Sequence, residues 1–261
     1  TTVASGNPNV NVEKADTTVF GFVYEPQIEM LQGLSMSIDW YEVDIADAIS
    51  QIRHQEVVDR CFDGDTEQCA NIEFDPTNGD ITRVFRRFFN QDQALVEGLD
   101  FEVTYRMEPN FFDSQFESLT VRALAGTLLT RDNVAANGTV STQLDQYTLP
   151  DTTGNVTMAY SVGPWSVQMQ GRHITGGKIR RTWTEGVDVD YNWVSSSTWW
   201  NATARYSSEL SNGATWNIGF NILNIFDKAP PFVPGSDGNQ GANNMYDVYG
   251  RRYNLSLNVE F

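Results

Sequence analysis

Hydrophobic and polar positions alternate along most of this 261-residue chain. The pattern is clearest in the last segment. Tyr253, Leu255, Leu257, Val259 and Phe261 share one parity, and Asn254, Ser256, Asn258 and Glu260 share the other. In an extended strand the two sets face opposite ways, so one face is apolar and the other polar. The same alternation runs through Trp216–Ile222, Trp200–Tyr206, Trp165–Met169, Val156–Tyr160, Leu119–Ala123, Leu99–Tyr105, Leu34–Trp40 and Phe20–Tyr24. Nine strands are therefore predicted, with almost no helical periodicity between them. After Trp40 the apolar parity slips to Tyr41, Val43 and Ile45. A bulge, or a strand running beyond a membrane, accounts for such a slip.

The connections alternate in length. Short ones are expected near 27–33, 110–115, 163–164 and 211–213, and long ones near 51–92, 134–152, 177–197 and 226–246. Tight turns at one end and long loops at the other are the pattern of an up-and-down outer-membrane barrel. The stretch 51–92 is too long for an idle loop, and Ile81 to Phe89 within it is expected to be strand-like. Tyr24, Tyr105, Tyr160, Trp165, Tyr206 and Trp216 flank the short turns, where an interfacial aromatic girdle belongs. The alternative all-β reading is a soluble sandwich, which buries one strand face against a second sheet.

Composition narrows the choice. Apolar residues are 40% and aromatics 12%, too many for a disordered chain. No run of 18 or more apolar residues occurs, so no transmembrane helix is expected. No charged-then-apolar leader opens the sequence, so no signal peptide is expected within these residues. A mean hydropathy of −0.38 leaves a membrane barrel open, because lipid-facing and lumen-facing residues average out. With 17 basic and 34 acidic residues the net charge is −17, which argues against nucleic acid as a partner. The acidic excess serves solubility or a cation-favouring lumen.

Nine strands also pose a closure problem. The first and last run in the same direction, whereas single-chain bacterial barrels have even strand numbers. At ordinary spacing and tilt, nine strands give an arc of roughly 56 Å, closing on a bore of roughly 18 Å. Open edges would expose backbone groups to lipid. The expected fold is thus an antiparallel transmembrane β-barrel of which 1–261 forms about nine C-terminal strands. The remaining strands are expected before Thr1 or from another chain.

Six segments in order resemble the barrel of a TonB-dependent outer-membrane receptor. They are Asn7-Pro-Asn-Val-Asn-Val-Glu-Lys-Ala-Asp16, Leu34 to Ile49, Gly98-Leu-Asp-Phe-Glu-Val-Thr-Tyr105, Thr184 to Asp190, Asn221 to Pro231 (with Asn224-Ile-Phe-Asp-Lys228), and Tyr246 to Tyr253 leading to Phe261. The resemblance implies a barrel of about 22 strands plugged by an N-terminal domain. It implies active import of a scarce nutrient such as a siderophore or oligosaccharide, driven by the proton-motive force through TonB acting on the plug. It further implies a Gram-negative outer-membrane location, contact with outer-membrane lipid, and Phe261 as the signal read by the barrel assembly machinery. A secreted carbohydrate-binding β-sandwich and a passive porin are the rival functions.

On that topology the first long loop lies outside the cell, where a Cys61–Cys69 disulfide is expected to stiffen it. Arg180, Arg181, Trp183, Tyr191, Trp193 and Trp199, in or beside the third long loop, are candidates for ligand binding. The aromatics would stack on rings and the arginines grip anions, against the alternatives of loop packing and of neutralising Asp188 and Asp190. Arg83, Arg86 and Arg87 carry the same two readings. Asp63, Asp65, Asp75, Asn78 and Asp80 are oxygen-rich, yet their spacing fits no EF-hand, so calcium in the surface loops is only an alternative to no cofactor. His54 and His173 lack a zinc-site pattern, and no metal site is assigned. No catalytic motif is present, and no enzyme is expected.

Overall fold

The computed structural model describes residues 1–51, 53–90, 93–113, 116–135, 138–210, 213–233 and 245–260. Phe261 lies outside them. The nine expected strands are all present. They are β1 (Lys14–Tyr24), β2 (Leu34–Ala46), β3 (Gln93–Met107), β4 (Glu117–Val134), β5 (Thr152–Val162), β6 (Trp165–Ile174), β7 (Ser197–Glu209), β8 (Thr215–Leu223) and β9 (Arg252–Glu260). They pair in chain order into one sheet, to which Val140–Thr142 adds against β4. From β4 to β9 the neighbours pair antiparallel. Val, Ile, Thr and aromatic residues supply the strands, as expected where a side chain must pack on a pleated surface. The shortest hairpin, between β5 and β6, turns on Gly163-Pro164. Gly163 has φ 52°, the positive value a two-residue hairpin needs at its first central position.

Register carries the two parities onto consistent faces. Val167 opposes Ala204, Ala204 opposes Phe220, and Phe220 opposes Leu255. On the other face Gln168 opposes Thr203, Thr203 opposes Asn221, and Asn221 opposes Asn254. The polar face is knitted by its own bonds, such as Thr203 Oγ1 to Asn221 Oδ1 at 2.8 Å and the Arg122–Glu102 pair at 2.8 Å. Among the described residues no protein layer covers the apolar face. Leu255, Leu257, Phe220 and Ile218 are 75%, 68%, 41% and 38% exposed. A soluble sandwich would have sealed them. Trp165, Tyr206 and Trp216 form a continuous row at the short-connection end, with ring centroids 4.7 and 5.3 Å apart.

Contacts divide the chain into two compact units. One comprises Thr1–Thr18, Glu42–Val96 and Arg131–Thr142; the other comprises Val19–Tyr41, Glu97–Thr130 and Gln143–Phe261. β2 runs unbroken through the expected phase slip, which coincides with the unit boundary at Tyr41/Glu42. Just inside the second unit, Glu97 shares the parity of Leu99 and Phe101. Its carboxylate is satisfied by the Trp40 indole at 2.8 Å and the Thr130 hydroxyl at 3.1 Å.

The first unit contains structure that periodicity did not reveal. The 51–92 stretch holds two helices, α1 (His54–Phe62) and α2 (Thr66–Cys69). One is nine residues long and the other four, too short to print a 3.6-residue rhythm on the sequence. Ile81–Arg87 is a strand, as expected, paired with Ile72–Phe74 and, in parallel, with Thr2–Ser5. Val57, Ile72 and Val84 form the small core beneath. Each side chain so buried contributes about 1.5–3 kcal/mol. Cys61 and Cys69 are joined by a disulfide. Among the described residues no helix is long and apolar enough to cross a membrane, which says nothing of a β-barrel.

Candidate functional site

The third long connection (175–196) is built around one asparagine. Asn192 is 4% exposed. Its side-chain oxygen accepts the Arg180 N–H at 3.0 Å, and its amide donates to the carbonyls of Arg180 and Trp183 at 2.7 and 2.9 Å. Its own backbone N–H donates to Glu185 Oε1 at 2.8 Å. Four bonds from one residue fold the loop back on itself and satisfy groups that burial would otherwise orphan. Tyr191 and Trp193 flank Asn192, so these bonds also fix their backbone beside Arg180 and Trp183.

The loop stands on a core shared by three connections. Val194 is fully buried and packs with Val233 and Tyr246, flanked by Tyr147, Ile179 and Met245. Lys178 pairs with the 145–147 backbone, donating to the Asp145 carbonyl at 2.6 Å and accepting from the Tyr147 N–H at 3.1 Å. The Tyr246 hydroxyl is buried and finds no hydrogen-bond partner among the described residues. Burial, and secondarily the neighbouring Tyr147, raises its pKa above the ordinary phenol value.

On this platform the Arg180 guanidinium lies over the Trp183 ring, 4.9 Å from its centroid. Tyr191 is 60% exposed and Trp193 39%. The ion pairs among the described residues are Arg60–Asp65, Arg83–Glu73, Arg122–Glu102 and Arg252–Asp247. Neither Arg180 nor Arg181 is therefore spent on Asp188 or Asp190. A planar cation stacked on an indole, with further aromatics exposed nearby, suits a flat or anionic ligand. Trp199 stands apart from this set. It lies in β7, 7% exposed, on the polar face of the sheet, with the Arg172 guanidinium 5.4 Å from its ring centroid.

The remaining candidates are distributed. In the first unit Arg86 binds Gln51 at 3.0 Å, Arg83 pairs with Glu73 at 3.4 Å, and Arg87 lies over Phe85 at 5.4 Å. The oxygen-rich stretch splits into two local turns. Asp65 caps α2 and pairs with Arg60, while Asp75 accepts the Thr77 N–H and Asn78 bonds Asp80. His173 shares a 2.7 Å hydrogen bond with Thr198. Among the described residues no three His, Cys, Asp or Glu side chains gather as a metal site. Sequence reasoning missed Asn192, which looks like any polar loop residue, and the Val194–Val233–Tyr246 core, whose members are far apart in the chain.

A family model described as "TonB dependent receptor-like, beta-barrel" matches residues 1–225. A search of curated proteins finds no match. Among solved structures the chain is similar to a ferric enterobactin receptor mutant (PfeA, Q482A) from Pseudomonas aeruginosa in complex with enterobactin. Identity there is 16% and the TM-score 0.62, over 98% of this chain and 32% of that one. It is also similar to the siderophore receptor PirA from Acinetobacter baumannii, at 15% identity and TM-score 0.58 over 98% and 33% of the two chains. The FrpB iron transporter from Neisseria meningitidis follows at 13% and 0.56, over 98% and 32%. The chain thus spans about a third of the length of these structures, which share its fold and are receptors and a transporter rather than enzymes. With the match extending over most of its strands, the chain belongs to the TonB-dependent receptor family and is a piece of its β-barrel.

Proposed function

We propose that these nine strands are the C-terminal part of a larger outer-membrane barrel that imports an iron–siderophore complex, energised through a plug and TonB. The observation that carries the reading is the uncovered apolar face, with Leu255, Leu257, Phe220 and Ile218 in register beside a bonded polar face. Hydrocarbon is the solvent that makes such a face stable. β1 and β9 are the two ends of the sheet path, and further strands would satisfy both edges. The likeness to siderophore receptors and an iron transporter supports the cargo class, and the Arg180–Trp183 stack supplies suitable chemistry for an anionic, aromatic chelate. On this reading the long loops face the cell exterior, where the disulfide persists.

The test is uptake of a radiolabelled ferric catecholate chelate by iron-starved host cells with and without the intact gene. Loss of uptake on deletion, and loss on collapsing the proton-motive force, is the expected result. Uptake that survives deletion overturns the assignment of cargo. Uptake that needs the gene but not the proton-motive force overturns energised import in favour of a passive pore.

A further inference from the structure

The short connection between β3 and β4 carries two phenylalanines in plain view. Phe111 and Phe112 are 67% and 70% exposed. Their backbone N–H groups both donate to the Glu117 carboxylate, at 3.0 and 2.9 Å. The Tyr160 hydroxyl donates to the same carboxylate at 2.7 Å. Glu117 itself is only 5% exposed, and these donors compensate the burial of its charge.

The position of Glu117 in the sheet gives this arrangement a direction. Glu117 opposes Val162, two residues along from the Leu119–Tyr160 pair, so it lies on the apolar face with Leu119 and Val121. A connection hung from a side chain on that face is drawn outward over the wall, away from the polar side. The Phe111 ring accordingly meets the Tyr160 ring, centroids 6.2 Å apart. Tyr160 stands near the hairpin end at which the Trp165–Tyr206–Trp216 row lies. Phe111 therefore extends that aromatic row. Glu108, Asn110 and Asp113 intersperse polar groups along the same connection.

We propose that the 109–113 turn is a membrane-interface anchor. Phe111 and Phe112 insert into the phospholipid leaflet nearest the short connections, and Glu117 is the hook that aims them. The inference rests on the reading that the apolar wall faces lipid. Continuity with that wall and its row of Trp and Tyr favours lipid over a protein partner, because amphipathic Trp and Tyr rings mark the boundary between headgroups and acyl chains and exposed phenyl rings beside them are stabilised on its apolar side.

Both cysteines of these 261 residues are in the disulfide, so an added cysteine is the single free thiol among them, and any free cysteine elsewhere in the receptor is replaced by serine. The full-length receptor, carrying a nitroxide at Phe112→Cys, Asp113→Cys or Leu257→Cys, is reconstituted in phosphatidylethanolamine–phosphatidylglycerol vesicles. Collision with oxygen and with a water-soluble nickel chelate is then measured. The labels at 112 and 257 are expected to prefer oxygen and the label at 113 the chelate. Glu117→Ala is expected to abolish the preference at 112 alone, while Glu117→Gln, which keeps an acceptor, retains it and controls for folding. A label at 112 that meets the chelate as freely as that at 113, with 257 still in lipid, overturns the anchor and leaves the wall reading intact. A label at 112 shielded from both reagents overturns it in favour of a protein contact. A label at 257 in water overturns both.

Discussion

The strand wall and the long connections treat apolar side chains in opposite ways. Along β8 and β9 the apolar residues line one face and stay uncovered. In the connections some of them are gathered into two small cores among the described residues, Val57–Ile72–Val84 and Val194–Val233–Tyr246, while others such as Phe62 and Val187 stay exposed. The wall needs no core, because each strand's backbone is satisfied by its neighbours and its greasy face by the solvent around it. The connections lack that uniform surrounding and bury part of their own apolar surface. The two cores do so differently. The first is drawn from Glu42–Val96, one compact stretch, and is clamped by a disulfide. The second draws on three separate connections and is held by hydrogen bonds around Asn192.

The strongest challenge to this contrast is a charge on the wall. Leu257→Arg should cost about 2–4 kcal/mol of stability in bilayer vesicles near the midplane. Asn258→Arg, one residue on and facing the other way, should cost less than about 1 kcal/mol. Denaturant unfolding of the full receptor in vesicles measures both. Equal costs would mean that the two faces do not meet different solvents.

Next in size is the contrast between the two cores. Asn192→Ala should loosen the 180–192 segment by about 2–3 kcal/mol, since it strands buried backbone groups. Hydrogen exchange of that segment reads the change. Reducing the disulfide should loosen the 54–74 region by about 2.5 kcal/mol and leave exchange at 180–192 unaltered. A response of both regions to either change would show that they are one cooperative body.

The smallest effect sharpens the second core. The Tyr246 hydroxyl is buried with no partner among the described residues, so Tyr246→Phe should be neutral or stabilising by about 1 kcal/mol. The raised pKa also has a pH consequence. With the phenol harder to ionise in the folded loop, the opened loop loses its proton first. The contribution of Tyr246 is therefore complete below about pH 10 and is lost as the pH rises beyond it. Near-ultraviolet circular dichroism from neutral to strongly alkaline pH should show an alkaline step that is smaller in Tyr246→Phe. An unchanged step would assign it to other groups.

The particular residues explain what was legible beforehand. Strand alternation is a two-residue rhythm, so Tyr253 to Val259 announced their faces without knowledge of any partner. Glu117 gave a partial signal, a carboxylate two residues before Leu119 on the apolar parity, but not the turn and the tyrosine that satisfy it. The four-residue α2 depends on a cap and a cross-link, and Trp199 depends on an arginine from the neighbouring strand. Neither leaves a periodic trace.

The amino-acid order alone determined the strands, their two unlike faces and the alternation of short and long connections, because each follows from contacts a few residues apart. Only the folded chain decided which side chains close the loops. Val194, Val233 and Tyr246 meet because paired strands deliver their connections to one place, and pairing between distant segments is a property of register rather than of local sequence.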